Sequence, residues 1–273
     1  MGHEIAPDKV AASGGSFTVA VQRMFDKLAP RYDAFNRWAS LGLDGGWRRA
    51  AIRRLGDCAR GTVLDVATGT GDVALAAARA GGRVCGCDFA PRMVAIARAK
   101  AATAGLSSGT SFQVARAEQL PYKEACFDAV TSAFAMRNVR PALDQVLEEI
   151  LRVLRPGGRV VILEFSEPRF APVRWGHRVY TRALVPRIGR LLTGDSSPFD
   201  YLNRSIDAWE TPGQFAARIQ RVGFIEVGHR ALSLGTVALH WGTRPHCPPR
   251  PASVSAGRAR MGPDPAAERT PRG

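Results

Sequence analysis

The stretch Asp65-Val66-Ala67-Thr68-Gly69-Thr70-Gly71-Asp72 is the part of this chain best suited to chemistry. It follows an apolar run, Thr62 to Val66, and opens an alanine-rich run from Asp72 to about Ala80. Glycine at 69 and 71 lets the main chain pass close beneath a nucleotide-like ligand, where a side chain would collide with it. The spacing Gly69-x-Gly71-x-x-Ala74 also satisfies the dinucleotide fingerprint, so the turn alone fits NAD as well as S-adenosylmethionine. Two acids favour the methyl donor. Asp65 ends the strand before the turn, and Asp88 closes the next strand, 17 residues after Gly71. There it can accept both ribose hydroxyls, because ligands of open α/β sheets lie at the carboxyl ends of the strands. The plainer alternative is that Asp65 and Asp72 cap the turn and the helix.

The elements that must position these residues alternate strand and helix, the pattern of a parallel sheet with crossover helices. Strands are expected at Thr62–Val66, Arg83–Asp88, Ser111–Val114, Phe127–Phe134 and Arg159–Phe165. Helices are expected at Asp72–Ala80, Pro91–Ala102 and Leu143–Leu154, the last stopped by Pro156-Gly157-Gly158. Phe224–Leu232 and Thr236–Trp241, around Ser233-Leu234-Gly235, read as an antiparallel pair closing the sheet. The expected fold is α/β and Rossmann-like, a doubly wound, mostly parallel seven-stranded sheet with an antiparallel C-terminal strand pair.

Composition sets the limits. At 45% hydrophobic and 23% charged, the 273-residue chain can bury a sizeable core. No run approaches the ~18 apolar residues of a membrane span, and the start lacks a signal-peptide apolar region, so a cytoplasmic protein is expected. One domain is expected over 21–244, with an inserted basic segment near 167–210. Residues 1–20 read as a flexible start and 245–273 as a disordered Pro/Arg-rich tail. The net charge is +14, and removing residues 244–273 lowers it by only four. The cysteines, Cys58, Cys85, Cys87, Cys126 and Cys247, show no metal spacing and read as reduced thiols. Cys85 and Cys87 share one strand face and read as core.

Two further segments extend the pattern. Phe127-Asp128-Ala129-Val130 opens the fourth strand, and Leu151 to Gly158 is a helix stop turning into the fifth. With the glycine turn, they occur in the order and spacing of class I methyltransferases. From about Met24 to Arg244 the chain closely resembles the bacterial quinone C-methyltransferases that methylate demethylmenaquinol or the corresponding ubiquinol precursor. The resemblance rests on Phe25-Asp26-x-x-Ala29-Pro30-x-Tyr32-Asp33, Asn36, the glycine turn, Ala133 to Val139, Leu163-Glu164-Phe165-Ser166, Tyr201-Leu202 with Ser205-Ile206, and Val237 to His240. Ala135-Met136, Glu167 and Asn203 depart from the family's usual residues and bear on the substrate pocket.

The resemblance implies S-adenosylmethionine as cofactor and a prenylated hydroquinone as substrate. It places cofactor contacts on Thr70, Asp88, Arg116-Ala117 and Ala133, which join Asp65, Gly69 and Gly71 from the turn. No metal is required. Carbon methylation needs two aligned reactants and stabilised phenolate charge. Arg137-Asn138, just past the fourth strand, is the candidate for that stabilisation, with Arg137 tying the loop to an acidic neighbour as the competing reading. His240, Asp195 and Tyr201 are candidate proton acceptors, although a lone histidine near the C-terminal strand is more often structural.

The segment Arg169–Arg190 holds six arginines and no acid, with Arg174, Arg178 and Arg182 four apart. It reads as a peripheral contact with the inner face of the plasma membrane, or as a solvated helix face. A nucleic-acid substrate is disfavoured: no Asn/Asp-Pro-Pro-aromatic run follows the fourth strand, and no cysteine sits after a proline as an RNA cytosine methylase needs. The alternatives kept are O- or N-methylation of another small molecule, or a catalytically silent subunit of a quinone-synthesis complex. Oligomeric state is not legible.

Overall fold

In the computed structural model, residues 21–26, 28–187 and 197–246 are described. The expectations for 1–20, for the tail from 247 with Cys247, and for Asp195 lie outside these residues. Strand β1 (Thr62–Val66) shows how the sheet organises the fold. Val63 belongs to the core on one side of it and Leu64 to the core on the other, as period-two strand geometry requires. The next strands are β2 (Arg83–Asp88), β3 (Thr110–Val114), β4 (Phe127–Ala133) and β5 (Leu154–Phe165), followed by β6 (Ile225–Leu232) and β7 (Val237–Thr243). They form one seven-stranded sheet in the order β3-β2-β1-β4-β5-β7-β6, with β7 antiparallel to both β5 and β6. The expected fold class is therefore the observed one.

Early helices are α1 (Tyr32–Ala39), α2 (Asp44–Leu55), α3 (Asp72–Arg79) and α4 (Pro91–Thr103). Later ones are α5 (Leu143–Val153), α6 (Ala171–Val179), α7 (Ser197–Asp207) and α8 (Pro212–Val222). Trp47, Ile52 and Leu55 of α2, Val73 and Leu75 of α3, and Val94 and Ala97 of α4 cover one face of the sheet. The opposite face is covered by α5 and α8. Leu143, Val146, Leu147, Ile150 and Val153 recur at helical spacing and are all buried, which is why this segment is helical and why it faces the sheet. A Thr211/Gln214 capping box starts α8, and Gly223 ends it with φ 117°.

One boundary differs from expectation by more than two residues. Strand β5 begins at Leu154 rather than Arg159, because Pro156-Gly157-Gly158 is absorbed into an irregular strand start with a register shift opposite Phe127 and Ala129. A Cβ on Gly158 would lie 2.8 Å from the Arg155 carbonyl, so the glycine serves this close passage. The Phe127-Asp128 motif also has a structural use: Asp128 Oδ2 accepts the Thr62 amide at 2.7 Å and fixes the entry to β1. Cys87 is buried in the core and Cys85 packs against the same cluster.

Candidate active site

Strand order reverses at β1, whose neighbours are β2 and β4, and the crevice at this switch point is where such sheets take ligands. A cavity opens there. Its walls include Gly69, Asp88, Phe89, Met93, Arg116, Ala117, Ala133 and Asn138, with Val21, Phe25 and Tyr32 from the N-terminal segment on the other side. Gly69 has φ 54°, and a Cβ on it would meet only Tyr32 Cε1, at 3.9 Å, so the main chain there borders open space. Asp88 is 6% exposed and receives the Gly69 amide at 2.8 Å and the Ala90 amide at 2.9 Å. Burial pushes its pKa up to about 6 despite those two donors. An open glycine cradle beside a buried carboxylate fits the ribose and main-chain contacts of S-adenosylmethionine. Arg116 and its ion-pair partner Glu118, 3.1 Å away, both line the cavity.

The other expected cofactor residues lie behind this surface. Gly71, with φ 85°, does not line the cavity. A Cβ on it would come within 2.9 Å of Ala97 Cβ, so it is glycine for the packing of α4. Thr70 donates to Asp33 Oδ1 at 2.5 Å. Asp65 is buried beneath the turn, where Thr68 at 2.6 Å and Thr131 at 2.7 Å each donate to one of its oxygens. It shapes the turn from below, and burial lifts its pKa to about 6.

A second, larger cavity of about 630 Å³ meets the first, and Phe25, Tyr32 and Phe134 line both. Its apolar walls include Leu28, Phe35, Trp47, Phe165 and Val185. Its polar lining includes Asn36, Asp44, Arg48, Arg137, His177, Tyr201 and Asn203. Phe134 holds φ 58°, a strained conformation for a bulky residue, and its carbonyl accepts the Arg137 guanidinium. Arg137 also pairs with buried Glu164 at 3.0 Å and donates to Ser205 at 3.2 Å. The acidic neighbour expected by the competing reading therefore exists, while the same guanidinium lines the larger cavity. Asn138 lines the first cavity and accepts the Tyr201 hydroxyl, from the second, at 3.2 Å. Burial raises the Tyr32 phenol pKa, against the opposing effects of Asn36 and Arg137.

His240 lies elsewhere. It is 1% exposed on β7, packed edge-on against Phe215 and stacked on His229, and it lines neither cavity. Burial lowers its pKa to about 4, the state of a neutral core histidine. The structure brings Tyr201, Arg137 and Asn138 together at the junction and leaves His240 out. It adds His177, whose pKa burial also lowers. Phe25, Tyr32, Phe89, Met93, Trp47 and Phe165 were not read as site residues. They belong to stretches without helical or strand periodicity, or to ordinary core positions, and only the family resemblance marks Phe25, Tyr32 and Phe165.

The arginine stripe changes in character. Arg178 pairs with Glu167 at 2.5 Å and Arg182 with Asp207 at 2.8 Å, both exposed pairs, and Arg182 sits in a π-helical turn, Tyr180–Leu184, that breaks four-residue spacing. Asn203 donates to the Thr181 carbonyl at 2.9 Å, so this departure from the family ties α7 to that turn. No helix among the described residues is long and apolar enough to cross a membrane.

A doubly wound sheet with a nucleoside-type cavity at its switch point and a second cavity meeting it defines a class I S-adenosylmethionine-dependent methyltransferase. Solved structures agree on the fold. A SAM dependent methyltransferase from Aquifex aeolicus matches with TM-score 0.52 at 17% identity, covering 72% of this chain and 89% of its own. Phosphoethanolamine N-methyltransferase 2 from Haemonchus contortus, in complex with S-adenosyl-L-methionine, matches with TM-score 0.54 at 15% identity over 81% of this chain and 60% of its own. The model of the ubiE/COQ5 methyltransferase family matches residues 14–244, and the chain belongs to that family. Among similar relatives, the ubiquinone/menaquinone biosynthesis C-methyltransferase UbiE of Geotalea daltonii is 42% identical over 82% of this chain and 96% of its own. The demethylmenaquinone methyltransferase of Thermus thermophilus is 42% identical over 81% of this chain and all of its own.

Proposed function

We propose that the chain transfers a methyl group from S-adenosylmethionine to a ring carbon of a prenylated hydroquinone, demethylmenaquinol or the corresponding ubiquinol precursor. The observation that carries this reading is the junction of the two cavities. A polar, glycine-edged cavity meets a roomy, mostly apolar one across Phe25, Tyr32 and Phe134, with Arg137 and Asn138 at the meeting point. About 630 Å³ accommodates an aromatic ring system with its first prenyl units, and it lies within the usual range of small-molecule sites.

When bound, the cofactor supplies an electrophilic methyl group. The chain's residues hold and polarise the acceptor. Gly69, Asp88, Ala117 and Ala133 cradle the donor, and the three shared aromatics exclude water between the sites. A phenol of the substrate becomes a better carbon nucleophile as its proton leaves, and Arg137, fixed by Glu164, faces the developing negative charge. Tyr201 and Asn138 form a hydrogen-bonded pair beside it. His177, whose pKa burial lowers, lines the larger cavity and is the proton acceptor proposed here. After the carbon–carbon bond forms, the ring carbon loses its hydrogen as a proton to water and the ring oxygen regains one, which restores the aromatic hydroquinone.

The mouth of the larger cavity supports access from a membrane surface. Leu41 and Leu234 line the cavity while 72% and 79% exposed, and Trp38, Phe170 and Trp175 are each more than 60% exposed. Such apolar residues beside a basic helix suit the headgroup region of a lipid layer, which would hold the remainder of the prenyl chain. The test of function is incubation with a reduced demethylmenaquinone analogue and isotopically labelled methyl donor, followed by mass spectrometry and NMR. Label on a ring carbon is expected; label on oxygen, or none, overturns the proposal.

A further inference from the structure

The cofactor cavity has a wall that belongs to neither the sheet nor its covering helices. Val21, Phe25 and Tyr32 supply it, from a strap formed by residues 21–26 and 28–39. Among the described residues, the strap's apolar packing falls in two small clusters, one with Leu28, Phe35 and Val185 and the other with Ala29, Ala90 and Met93. Segments with so little buried apolar surface open locally at less cost than global unfolding. Polar fastenings therefore weigh heavily. Gln22 donates to the Phe89 carbonyl at 3.0 Å, and Asp26 accepts the Arg92 amide at 3.1 Å.

The third fastening is the densest. Asp33 accepts the Thr70 hydroxyl at 2.5 Å on one oxygen and Lys100 Nζ at 2.7 Å on the other. Lys100 also pairs with Asp72, and Arg48 bridges Asp72 at 2.9 Å to Asp44 at 2.7 Å. Both partners of Asp33 lie outside the strap: Thr70 is in the glycine turn and Lys100 is on α4. The carboxylate thus stabilises the joint, beyond the favourable place an acid has in the first turn of α1. It also fixes its neighbour Tyr32, whose ring lines both cavities.

We propose that Asp33 is a positioning residue, a latch that pins the strap across the methyl-donor cavity and sets the rate at which cofactor exchanges. The inference rests on reading the first cavity as the S-adenosylmethionine site. Asp33 touches no cofactor surface in this arrangement; its effect passes through Tyr32 and the turn.

The test measures S-adenosylhomocysteine release by stopped-flow displacement, and hydrogen exchange of residues 21–39, on wild type, Asp33→Asn, Asp33→Ala, Lys100→Met and the Asp33→Ala/Lys100→Met double variant. Release roughly tenfold faster is expected for Asp33→Ala, the loss of one to two charge-assisted bonds, with strap amides exchanging faster in the ligand-free protein. The melting temperature of the ligand-free protein should move little. Lys100→Met should reproduce part of the effect, and the double variant should add less than the sum. A merely structural role predicts a lowered melting temperature with release unchanged per folded molecule. Unchanged release and unchanged strap exchange in the folded variants overturn the latch. Failure of wild type to bind the ligand at all would instead remove the underlying reading of the cavity. Should Asp33→Ala not fold, Asp33→Asn and Lys100→Met carry the same comparison.

Discussion

Truncating Arg137 should remove two separable things, a buried ion pair and a stabiliser of developing charge. The guanidinium has side-chain relative exposure of 7% and its partner Glu164 of 0%. Breaking one side of such a buried pair costs ~3 to 5 kcal/mol, mostly as the penalty of the charge left behind. Here Glu164 would keep the Phe165 amide at 2.9 Å and the main-chain amide of residue 137 at 3.2 Å, donors that survive truncation. The lower end, ~3 kcal/mol, is therefore expected for Arg137→Ala. Arg137→Lys retains the charge but cannot serve Glu164, Ser205 and the Phe134 carbonyl together, and should cost ~1 to 2 kcal/mol. Loss of one oxyanion donor lowers turnover ~100- to 1,000-fold, and kcat and kcat/KM for the quinol should fall together. Urea denaturation measures the first effect. Turnover on a reduced quinone analogue, normalised to folded protein, measures the second, with cofactor affinity by calorimetry as control. Glu164→Gln separates the two, because it removes the anchor while leaving the guanidinium in the cavity. A wild-type denaturation midpoint in Arg137→Ala would refute the anchoring, and turnover lost only in proportion to folded protein would refute the catalytic part.

Asp88→Ala should weaken cofactor binding by ~2 to 3 kcal/mol in calorimetry, and unchanged affinity would remove it from the site. Because ionised Asp88 accepts hydroxyls more strongly than the protonated acid and its pKa is about 6, affinity should fall as pH drops below about 6, and a flat profile down to pH 5 contradicts this. For Asp65, the folded pKa of about 6 lies above the ordinary carboxylate value of 3.8, so the folded state binds its proton more tightly. Its contribution to stability is present below about pH 4 and is lost as pH rises to about 6, of the order of 3 kcal/mol. The difference in denaturation free energy between wild type and Asp65→Asn should follow that slope, and the opposite sign would refute the burial argument. His177→Gln should slow turnover while leaving cofactor affinity unchanged; full activity would exclude it as proton acceptor. Replacing Phe170 and Trp175 with serine should weaken sedimentation with anionic liposomes, and equal sedimentation of both proteins would count against the membrane face.

The sequence alone determined the order of elements, the glycine turn and the two acids at the ends of β1 and β2. Those signals are local: period-two and helical apolar spacing, glycine at a tight turn, and a helix stop at Pro156-Gly157-Gly158. Tertiary structure decided what each residue faces. Gly71 looked like a ligand glycine and proved to be a packing glycine, because Ala97, 26 residues on, presses against it. Asp65 reads as a cofactor contact until Thr131, 66 residues away, is seen to take one of its oxygens. His240 carries the same side chain whether it lines a cavity or fills a core, and only the cover of α8, through Phe215, places it in the core. The arginines of α6 and the turn after it found partners outside their own segment, at Glu167 and Asp207. The meeting of two cavities depends on Phe25 and Tyr32 arriving beside Phe134, a hundred residues later in the chain. Spacing along the chain fixes which way neighbours point relative to one another. Burial and long-range pairing depend on what the fold sets against them, and no local pattern records that.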